Sequence, residues 1–407
     1  MEKIIDKARL ALKVGVQSKA VINENVLDFS YRKVAKSGLN CIDYNITWDG
    51  EEHGDDYSIY EEHKRIADKY NITFSQVHSP RPGKIELPYD MPRLIQMMKD
   101  SVKVCEILDS RYLVVHPLKR VPYMTYEDAW QMNVDYFSKI TEAAKAGNVM
   151  VCIENLQDRF NGRVVDGICA SAADIVKLIK EVEIIQGADT IGACLDVGHA
   201  NILRKDMASE IRILGKYLKV LHMHDNNGDS DDHQIPYSFS NPSSRQTTTD
   251  WSGFLFALRQ IGFKGVLSFE TYAALVSIPA PEQEVLLQYL YKIGQHFSYI
   301  ICYEKILETI SDREIILFGT GKMFDAYMRE FGDKYRPSYA VDNNSKLWGS
   351  TKDGIKIISP QELLNVKSDK VVIVCNQYFE EVITQLEEIG IEDYILYEEL
   401  YRMAGRP

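Results

Sequence analysis

The sequence lacks the features that mark membrane and secreted proteins. No run approaches the roughly 18 apolar residues of a membrane helix, and the first residues, MEKIIDKARLALKVG, lack the continuous apolar core of a signal peptide. The seven cysteines are odd in number and none forms a CxxC pair, which argues against a disulfide framework. We therefore expect a cytoplasmic protein that has no membrane partner.

Positive charge is also scarce. The chain has 47 Lys and Arg against 59 Asp and Glu, for a formal net charge of −12. A field of this sign repels phosphate backbones, so we expect no nucleic-acid partner. The run Asp225–Asp232, DNNGDSDD, adds four carboxylates to this balance.

The length and the alternation of element types indicate two domains. At 407 residues the chain exceeds the roughly 250 residues of an eight-stranded parallel barrel. Short β-branched runs alternate eight times with longer amphipathic runs, which is typical of βα units. We predict a (β/α)8 TIM barrel over residues 1–310, followed by a small doubly wound domain over residues 311–407. The eight predicted barrel strands are Leu12–Val16, Cys41–Ile46, Ile72–His78, Arg111–His116, Val149–Glu154, Ile191–Asp196, Lys219–His224 and Val266–Glu270.

Six of these strands carry a metal-ligating residue type at or near their carboxyl ends. The intervals between the six residues are 38, 38, 42, 26 and 48 residues, close to the length of one βα unit. The carboxyl ends of barrel strands open onto one face, so we expect these side chains to meet there. The six are His78, His116, Glu154, Asp196, His222 and Glu270.

Four of the six form a mixed set of carboxylates and one imidazole. Glu154, Asp196, His222 and Glu270 suit a single divalent metal such as Mn²⁺, Co²⁺, Mg²⁺ or Zn²⁺, and three carboxylates favour a hard or borderline ion. Two carboxylates on either side of one carbon are what a proton exchange next to a carbonyl requires. The alternative is that Glu154 and Glu270 are metal ligands only.

Four short motifs resemble the xylose isomerase-like barrel superfamily, and more narrowly its sugar phosphate isomerase/epimerase group, over residues 10–295. They are IEN at 153–155, DVGH at 196–199, HMHD at 222–225 and FE at 269–270. The resemblance implies that Glu154 and Glu270 hold the metal and also remove and return a proton at the substrate carbon, while the metal stabilises the enediolate.

Five residues besides these four ligands belong to the same pattern: His78 and His116 at strand ends, and His199, Asp231 and His233. Together with the four core ligands they match the metal-binding pattern of the endonuclease IV family, whose members hold three zinc ions and cleave phosphodiesters. A trinuclear zinc phosphodiesterase is therefore the alternative function. The five residues would otherwise bind substrate hydroxyl or phosphate groups.

Several other positions are candidates for substrate contact. His199, His224 and Trp48 are assigned to the sugar, although His224 and Trp48 are equally suited to structural roles. The polar stretch Ile235–Thr249, IPYSFSNPSSRQTTT, is expected to act as a lid or as a flexible linker.

The carboxyl-terminal segment resembles the Rossmann-like modules appended to some sugar-modifying proteins. Gly319 and Gly321 lie between a predicted strand and a predicted helix, and Asp342 follows a second strand. This spacing favours a weak nucleotide-binding motif, because the third glycine of the dinucleotide pattern is replaced by Phe324. A role in oligomerisation or partner docking stays open.

We thus predict a divalent-metal-dependent sugar or sugar phosphate isomerase/epimerase that acts by proton transfer on a small-molecule sugar, and we expect a homo-oligomer. A catalytically silent carbohydrate-binding protein is the third alternative. The sequence does not distinguish epimerisation from aldose–ketose isomerisation.

Overall fold

The structure is a computed structural model in which the chain folds into two compact units, one over Leu12–Phe297 and one that starts at Ser298. Each unit has its own sheet. The described residues are 9, 11–47, 56–81, 89–121, 123–239, 249–366 and 369–397.

The first unit is a barrel of eight parallel strands. Chain order is kept around the sheet, and the last barrel strand returns to pair with the first through Val14 and Leu267. The remaining junction is closed by the pairing of Met223 with Phe269, where the Met223 N–H donates to the Ser268 carbonyl at 2.9 Å. The prediction of a TIM barrel is confirmed. The barrel strands are β1 Val14–Gln17, β2 Cys41–Asn45, β3 Thr73–His78, β4 Tyr112–Val115, β5 Met150–Glu154, β8 Ile191–Asp196, β9 Leu218–His222 and β10 Leu267–Phe269.

Burial of the strands on both faces explains their sequence. Every residue of β5 and of β8 is buried, since the helices cover one face and the barrel core covers the other. The runs MVCIE and IGACLD are therefore apolar almost throughout, and the only charged residue of each is its last one.

Helices surround the barrel and begin at side-chain caps. Thr125 forms a capping box with Asp128, the Ser171 hydroxyl accepts from the Asp174 N–H, and the Asp250 carboxylate accepts from the Gly253 N–H. The helices of the barrel unit and its carboxyl-terminal extension are α1 Leu27–Lys36, α2 Ser58–Lys69, α3 Met91–Leu108, α4 Tyr126–Ala146, α5 Ala172–Gln186, α6 Val197–Ile202, α7 Met207–Leu214, α8 Trp251–Gln260, α9 Tyr272–Ser277 and α10 Gln283–Ile301.

A β-hairpin that the sequence analysis did not predict follows β5. It consists of β6, Gln157–Phe160, paired antiparallel with β7, Arg163–Asp166. Its turn is Asn161-Gly162, and both residues have positive φ angles of 49° and 77°. This dipeptide is a strong hairpin signal.

The second unit contains a six-stranded mixed sheet. Five strands are parallel, and the short edge strand β13, Thr351–Lys352, pairs antiparallel with β14, Ile355–Ile358. A separate α/β unit is thus present, whereas its assignment as Rossmann-like remains a prediction. Its strands are β11 Glu314–Phe318, β12 Tyr339–Val341, β13 Thr351–Lys352, β14 Ile355–Ile358, β15 Lys370–Val374 and β16 Tyr394–Leu396, and its helices are α11 Tyr303–Thr309, α12 Lys322–Phe331 and α13 Phe379–Glu388.

Among the described residues, none of the helices has the length and apolar character needed to span a bilayer.

Candidate functional site

The six strand-end residues are buried together at the carboxyl end of the barrel. His78, Glu154, Asp196 and His222 are the last residues of β3, β5, β8 and β9. His116 and Glu270 directly follow β4 and β10. All six are at most 8% exposed, so their imidazole and carboxylate groups must find partners within the cluster or in a bound ion.

The Nδ1 atom of His222 lies at the centre of the cluster. It is 3.2 Å from Glu270 Oε2, 3.5 Å from Glu154 Oε1 and 3.9 Å from Asp196 Oδ2. Ligand atoms that share one ion at about 2.1 Å lie about 3.0–3.5 Å apart, so two of these three distances are those of a shared ion. Although His222 Nδ1 is buried, it has no hydrogen-bond partner among the described residues.

The second carboxylate oxygen of Glu154 faces two further imidazoles. Its Oε2 atom is 3.0 Å from His116 Nε2 and 3.3 Å from His78 Nε2. Burial raises the pKa of the Glu154 carboxyl, but the imidazoles of His116 and His222 outweigh burial, so this pKa lies well below the usual range. Glu154 is therefore an ionised carboxylate that is shared between two sets of imidazoles.

Three further imidazoles surround the carboxylate of Asp231. Its carboxylate oxygens lie 3.3 Å from His233 Nε2, 3.5 Å from His199 Nε2 and 3.7 Å from His224 Nε2. Burial lowers the pKa of His233, but the contact with Asp231 outweighs burial and raises this pKa to about 9. In the same way, Asp196 and Asp231 overcome the effect of burial on His199 and raise its pKa to about 10.

Backbone carbonyls fix the tautomers of three imidazoles in this site. The Nδ1 atoms of His78, His199 and His233 donate to the carbonyls of Ser79, Asn155 and Glu270, each at 2.8 Å. In the neutral ring the Nε2 atom then carries the lone pair and faces a carboxylate. This arrangement, in which a histidine donates from one nitrogen and ligates through the other, is typical of metal sites.

The residues that follow the strands position Asp196 and His199. The Asn155 amide accepts from the Asp196 N–H at 2.7 Å and donates to the Asp196 carbonyl at 2.9 Å. The Asp196 carboxylate caps α6 by accepting from the His199 N–H at 2.7 Å. Gly198 is required here because a Cβ atom at this position would overlap the His224 ring.

Sequence reasoning missed one buried acid beside the site, Asp43 in β2. Its Oδ2 atom accepts from Gln76 Nε2 at 2.7 Å and lies 3.4 Å from His222 Nε2. Burial raises the pKa of Asp43 to about 6, against the opposing effect of His222. The available signal was a charged residue at the centre of the apolar strand CIDYN, since an isolated charge there requires a partner.

A cavity of about 610 Å³ opens beside the cluster. Glu270, Asp231, His233 and His78 form part of its wall, so the cluster is accessible from this space. The remaining wall is mainly polar. The other lining residues are Gln17, Lys19, Asn45, Ile46, Thr47, Ser79, Pro80, Arg81 and Tyr272.

Of the candidate substrate positions, His224 lies within the cluster but does not line the cavity, whereas Trp48 and part of the expected lid lie outside the described residues. His224 is fully buried, contacts Asp196 Oδ1 through Nε2 at 3.1 Å and stacks on His233 with ring centroids 4.1 Å apart. Trp48 and residues 240–248 of the expected lid are outside the described part of the chain. The assignments of Trp48 to the sugar and of the lid therefore stay predictions.

In the second unit, Asp342 bonds to the glycine turn itself. Its Oδ2 atom accepts from the Thr320 N–H at 3.1 Å and from the Thr320 hydroxyl at 2.5 Å. Gly319 has a φ of 113°. Nucleotide binding by Gly319, Gly321 and Asp342 remains a prediction.

A closed parallel barrel with acids and histidines at its strand ends is the architecture of the xylose isomerase type. Residues 31–292 match the family model described as Xylose isomerase-like TIM barrel. The chain belongs to this family. Residues 311–396 match a second model, described as C2185-like, N-terminal.

Individual relatives are distant. An uncharacterized protein of Methanocaldococcus jannaschii, MJ1311, is 23% identical over 288 residues, which is 69% of this chain and 90% of the relative. Inosose isomerase of Bacillus subtilis is 23% identical over 185 residues, which is 44% of this chain and 60% of that enzyme.

The solved structure of D-psicose 3-epimerase in the presence of D-fructose has the same barrel fold. Its TM-score to this chain is 0.55 at 17% sequence identity, and the match covers 70% of this chain and 99% of the epimerase. At this identity the likeness concerns the fold alone.

Proposed function

We propose that the protein is a divalent-metal-dependent sugar isomerase or epimerase that acts by proton transfer next to a carbonyl. The observation that carries this proposal is the pair Glu154 and Glu270, whose carboxylates both approach His222 Nδ1, at 3.5 and 3.2 Å, beside a cavity that Glu270 lines. The names of the relatives, an inosose isomerase and a D-psicose 3-epimerase, support the same class of reaction.

The residues at the strand ends fit a divalent ion. One ligand atom each from Asp196, His222 and Glu270 lies within 4.8 Å of the other two, and Glu154 Oε1 is close to the same imidazole nitrogen. The unpartnered, buried Nδ1 of His222 supports this assignment. When bound, such an ion supplies Lewis acidity at a carbonyl oxygen. Oxygen-rich ligands with one imidazole suit Mn²⁺, Co²⁺ or Mg²⁺.

Side chains of the protein would then transfer the proton and bind the sugar. Glu270 lines the cavity and is placed to remove a proton from the substrate carbon. Glu154 is buried and ionised, so it would return a proton only after taking one up from solvent, and otherwise it holds the ion. Gln17 and Asn45 offer neutral amide groups to sugar hydroxyls on the cavity wall. The cavity volume of about 610 Å³ accommodates a hexose or pentose.

Solvent-deuterium incorporation into a panel of ketoses tests this proposal. We expect the Mn²⁺-loaded protein to introduce deuterium next to the carbonyl of at least one sugar. Glu154→Gln and Glu270→Gln should each slow the exchange by about 10²-fold or more, because each removes a proton-transfer group. Glu142→Gln, at an exposed position on α4, is the matched control and should exchange at the parent rate. Parent rates in both site variants would exclude the two-glutamate mechanism.

A trinuclear zinc phosphodiesterase is the second candidate, and one observation favours it. His224, Asp231 and His233 form a further group whose ligand atoms lie within 4.8 Å of one another, beside the group formed by His78, Glu154 and His222. Metal analysis of protein purified without chelator separates the candidates. About one ion per chain supports the isomerase, about three zinc ions support the phosphodiesterase, and a metal-free protein supports a non-catalytic carbohydrate-binding role.

A further inference from the structure

A second cavity of the barrel unit, of about 700 Å³, is lined by three arginines. Arg159 and Arg163 come from the β6–β7 hairpin, and Arg204 comes from the loop after α6. Two acids, Asp166 and Asp229, complete the charged lining. The residues that line this cavity do not include any residue that lines the cavity beside the metal-ligand cluster.

Residues from both faces of the hairpin line this cavity: Arg159, Val164 and Asp166 belong to one face, and Arg163 and Val165 belong to the other. Arg159 pairs with Val164 and Gln157 with Asp166, so the side chains of these four residues share a face of the two-stranded sheet. Lys205 Nζ donates to both carboxylate oxygens of Asp166, each at 3.0 Å. This contact holds the Arg159 face of the hairpin against the loop that carries Arg204.

Among the described residues, the charged groups that line this cavity are not balanced. Lys205 already neutralises Asp166, which leaves Asp229 as the one lining carboxylate without a basic partner in the described part of the chain. Within that same part, the guanidinium groups of Arg159, Arg163 and Arg204 form no ion pair. Three positive charges therefore face one negative charge, in a chain whose overall charge is −12. An anion in this cavity would relieve their repulsion.

We propose that this cavity binds the phosphate group of a small phosphomonoester. A phosphate monoester carries a charge of about −1.5 to −2 at neutral pH, which matches the excess of two positive charges. Arginine forks bind phosphate oxygens in pairs, and such charge-assisted bonds are the stronger kind. A volume of about 700 Å³ exceeds what inorganic phosphate fills, and Val164, Ile202 and Leu203 offer apolar surface to the organic part of the ligand.

The position of the cavity links it to the metal-ligand cluster through the chain. The hairpin begins three residues after Glu154, and Asp229 precedes Asp231 by two residues. The proposal does not depend on the proposed reaction, because it concerns binding and can be measured without turnover.

Titration calorimetry of the metal-loaded protein with phenyl phosphate and with inorganic phosphate tests the proposal. We expect saturable binding of both, with phenyl phosphate the tighter ligand, and no measurable binding of phenol. The double variant R159Q/R204Q should bind phenyl phosphate about 100-fold more weakly, since each lost arginine contact costs about tenfold. The control R93Q/R329Q also removes two exposed arginines, one on α3 and one on α12, and should retain parent affinity.

Two results would overturn the proposal. Parent affinity in R159Q/R204Q would mean that phosphate binds elsewhere, for example at the metal-ligand cluster. Equal weakening in R93Q/R329Q would mean that only the net charge matters. Circular dichroism checks folding, and if the double variant does not fold, the single variants R159Q and R204Q are measured instead, each with an expected loss of about tenfold.

Discussion

Replacement of Asp43 by Asn should weaken metal binding, because it removes the negative charge beside His222 Nε2. The Asp43 carboxylate accepts from Gln76 Nε2 at 2.7 Å and lies 3.4 Å from His222 Nε2. With the carboxylate present, the proton of the neutral His222 ring is favoured on Nε2, and the lone pair of Nδ1 faces Glu154 and Glu270. Asp43 Oδ2 makes both contacts, so in Asp43→Asn the carbonyl oxygen that keeps the bond to Gln76 also faces His222 Nε2. This neutral oxygen is a weaker acceptor than the carboxylate, so the imidazole becomes a less basic ligand at Nδ1, the atom that would bind the ion.

Weakening of such a supporting contact costs about 10- to 100-fold in metal affinity, or about 1.4–2.7 kcal/mol. The stability of the metal-free protein should change in the opposite direction. Burial raises the pKa of Asp43 to about 6, so above this pH the folded state of the parent protein contains a poorly solvated charge that Asn lacks. We therefore expect the metal-free variant to unfold at a temperature no lower than that of the parent at pH 7.5.

Competition between the protein and a chelator for Mn²⁺ measures the first effect, and thermal melting without metal measures the second. Asp135→Asn, an exposed acid on α4 that pairs with Lys139, is the control and should leave the metal affinity unchanged. An Asp43→Asn variant with the parent Mn²⁺ affinity and a native circular dichroism spectrum would refute the reasoning.

Three further predictions follow from the site and from the second unit. The pKa values of His199 and His233 are raised to about 10 and about 9, so their protonated forms stabilise the metal-free fold fully below about pH 6.5. This contribution is lost as the pH rises through 9 to 10. The melting temperature of the chelator-treated protein should therefore fall over this range, and a constant or rising melting temperature would contradict the prediction. Mn²⁺ at 100 times its Kd should raise the free energy of unfolding by about 2.7 kcal/mol. Denaturant titration with and without chelator measures this difference. An unchanged free energy of unfolding would mean that the folded state does not bind the ion. Gly319→Ala should destabilise the protein by about 1–3 kcal/mol, because φ at Gly319 is 113° and a Cβ atom would overlap the Cys375 carbonyl. A Cβ atom at Gly321 would meet no neighbour, so Gly321→Ala should lower the free energy of unfolding by less than about 1 kcal/mol. Equal losses of stability in the two variants would contradict the prediction.

The sequence predicted the barrel and the strand-end residues because two periodicities reinforced each other. One was the alternation of strand and helix patterns, and the other was the recurrence of ligating residues once per βα unit. The chain order of the strands follows from the right-handed crossover of each unit. The carboxyl ends then had to meet, so His78 and Glu270 could be assigned to one site although 192 residues separate them.

Other features were not predicted because their signals were local and weak. Asp43 lies in the middle of a strand rather than at its end, and only its contact with His222 in the folded barrel gives it a role. The β6–β7 hairpin was overlooked although Asn161-Gly162 is a favoured turn, since its two strands have only four residues each and lie outside the barrel sheet. The charge imbalance around Arg159 and Arg204 depends on tertiary contacts, such as the pairing of Lys205 with Asp166, that no sequence pattern specifies.

Anomalous X-ray diffraction from crystals grown with Mn²⁺ tests the central claim most directly. The account predicts one strong peak within bonding distance, about 2.0–2.3 Å, of His222 Nδ1 and of carboxylate oxygens of Glu154, Asp196 and Glu270. The absence of an anomalous peak among these four residues, in crystals that bind Mn²⁺ elsewhere or not at all, would contradict it.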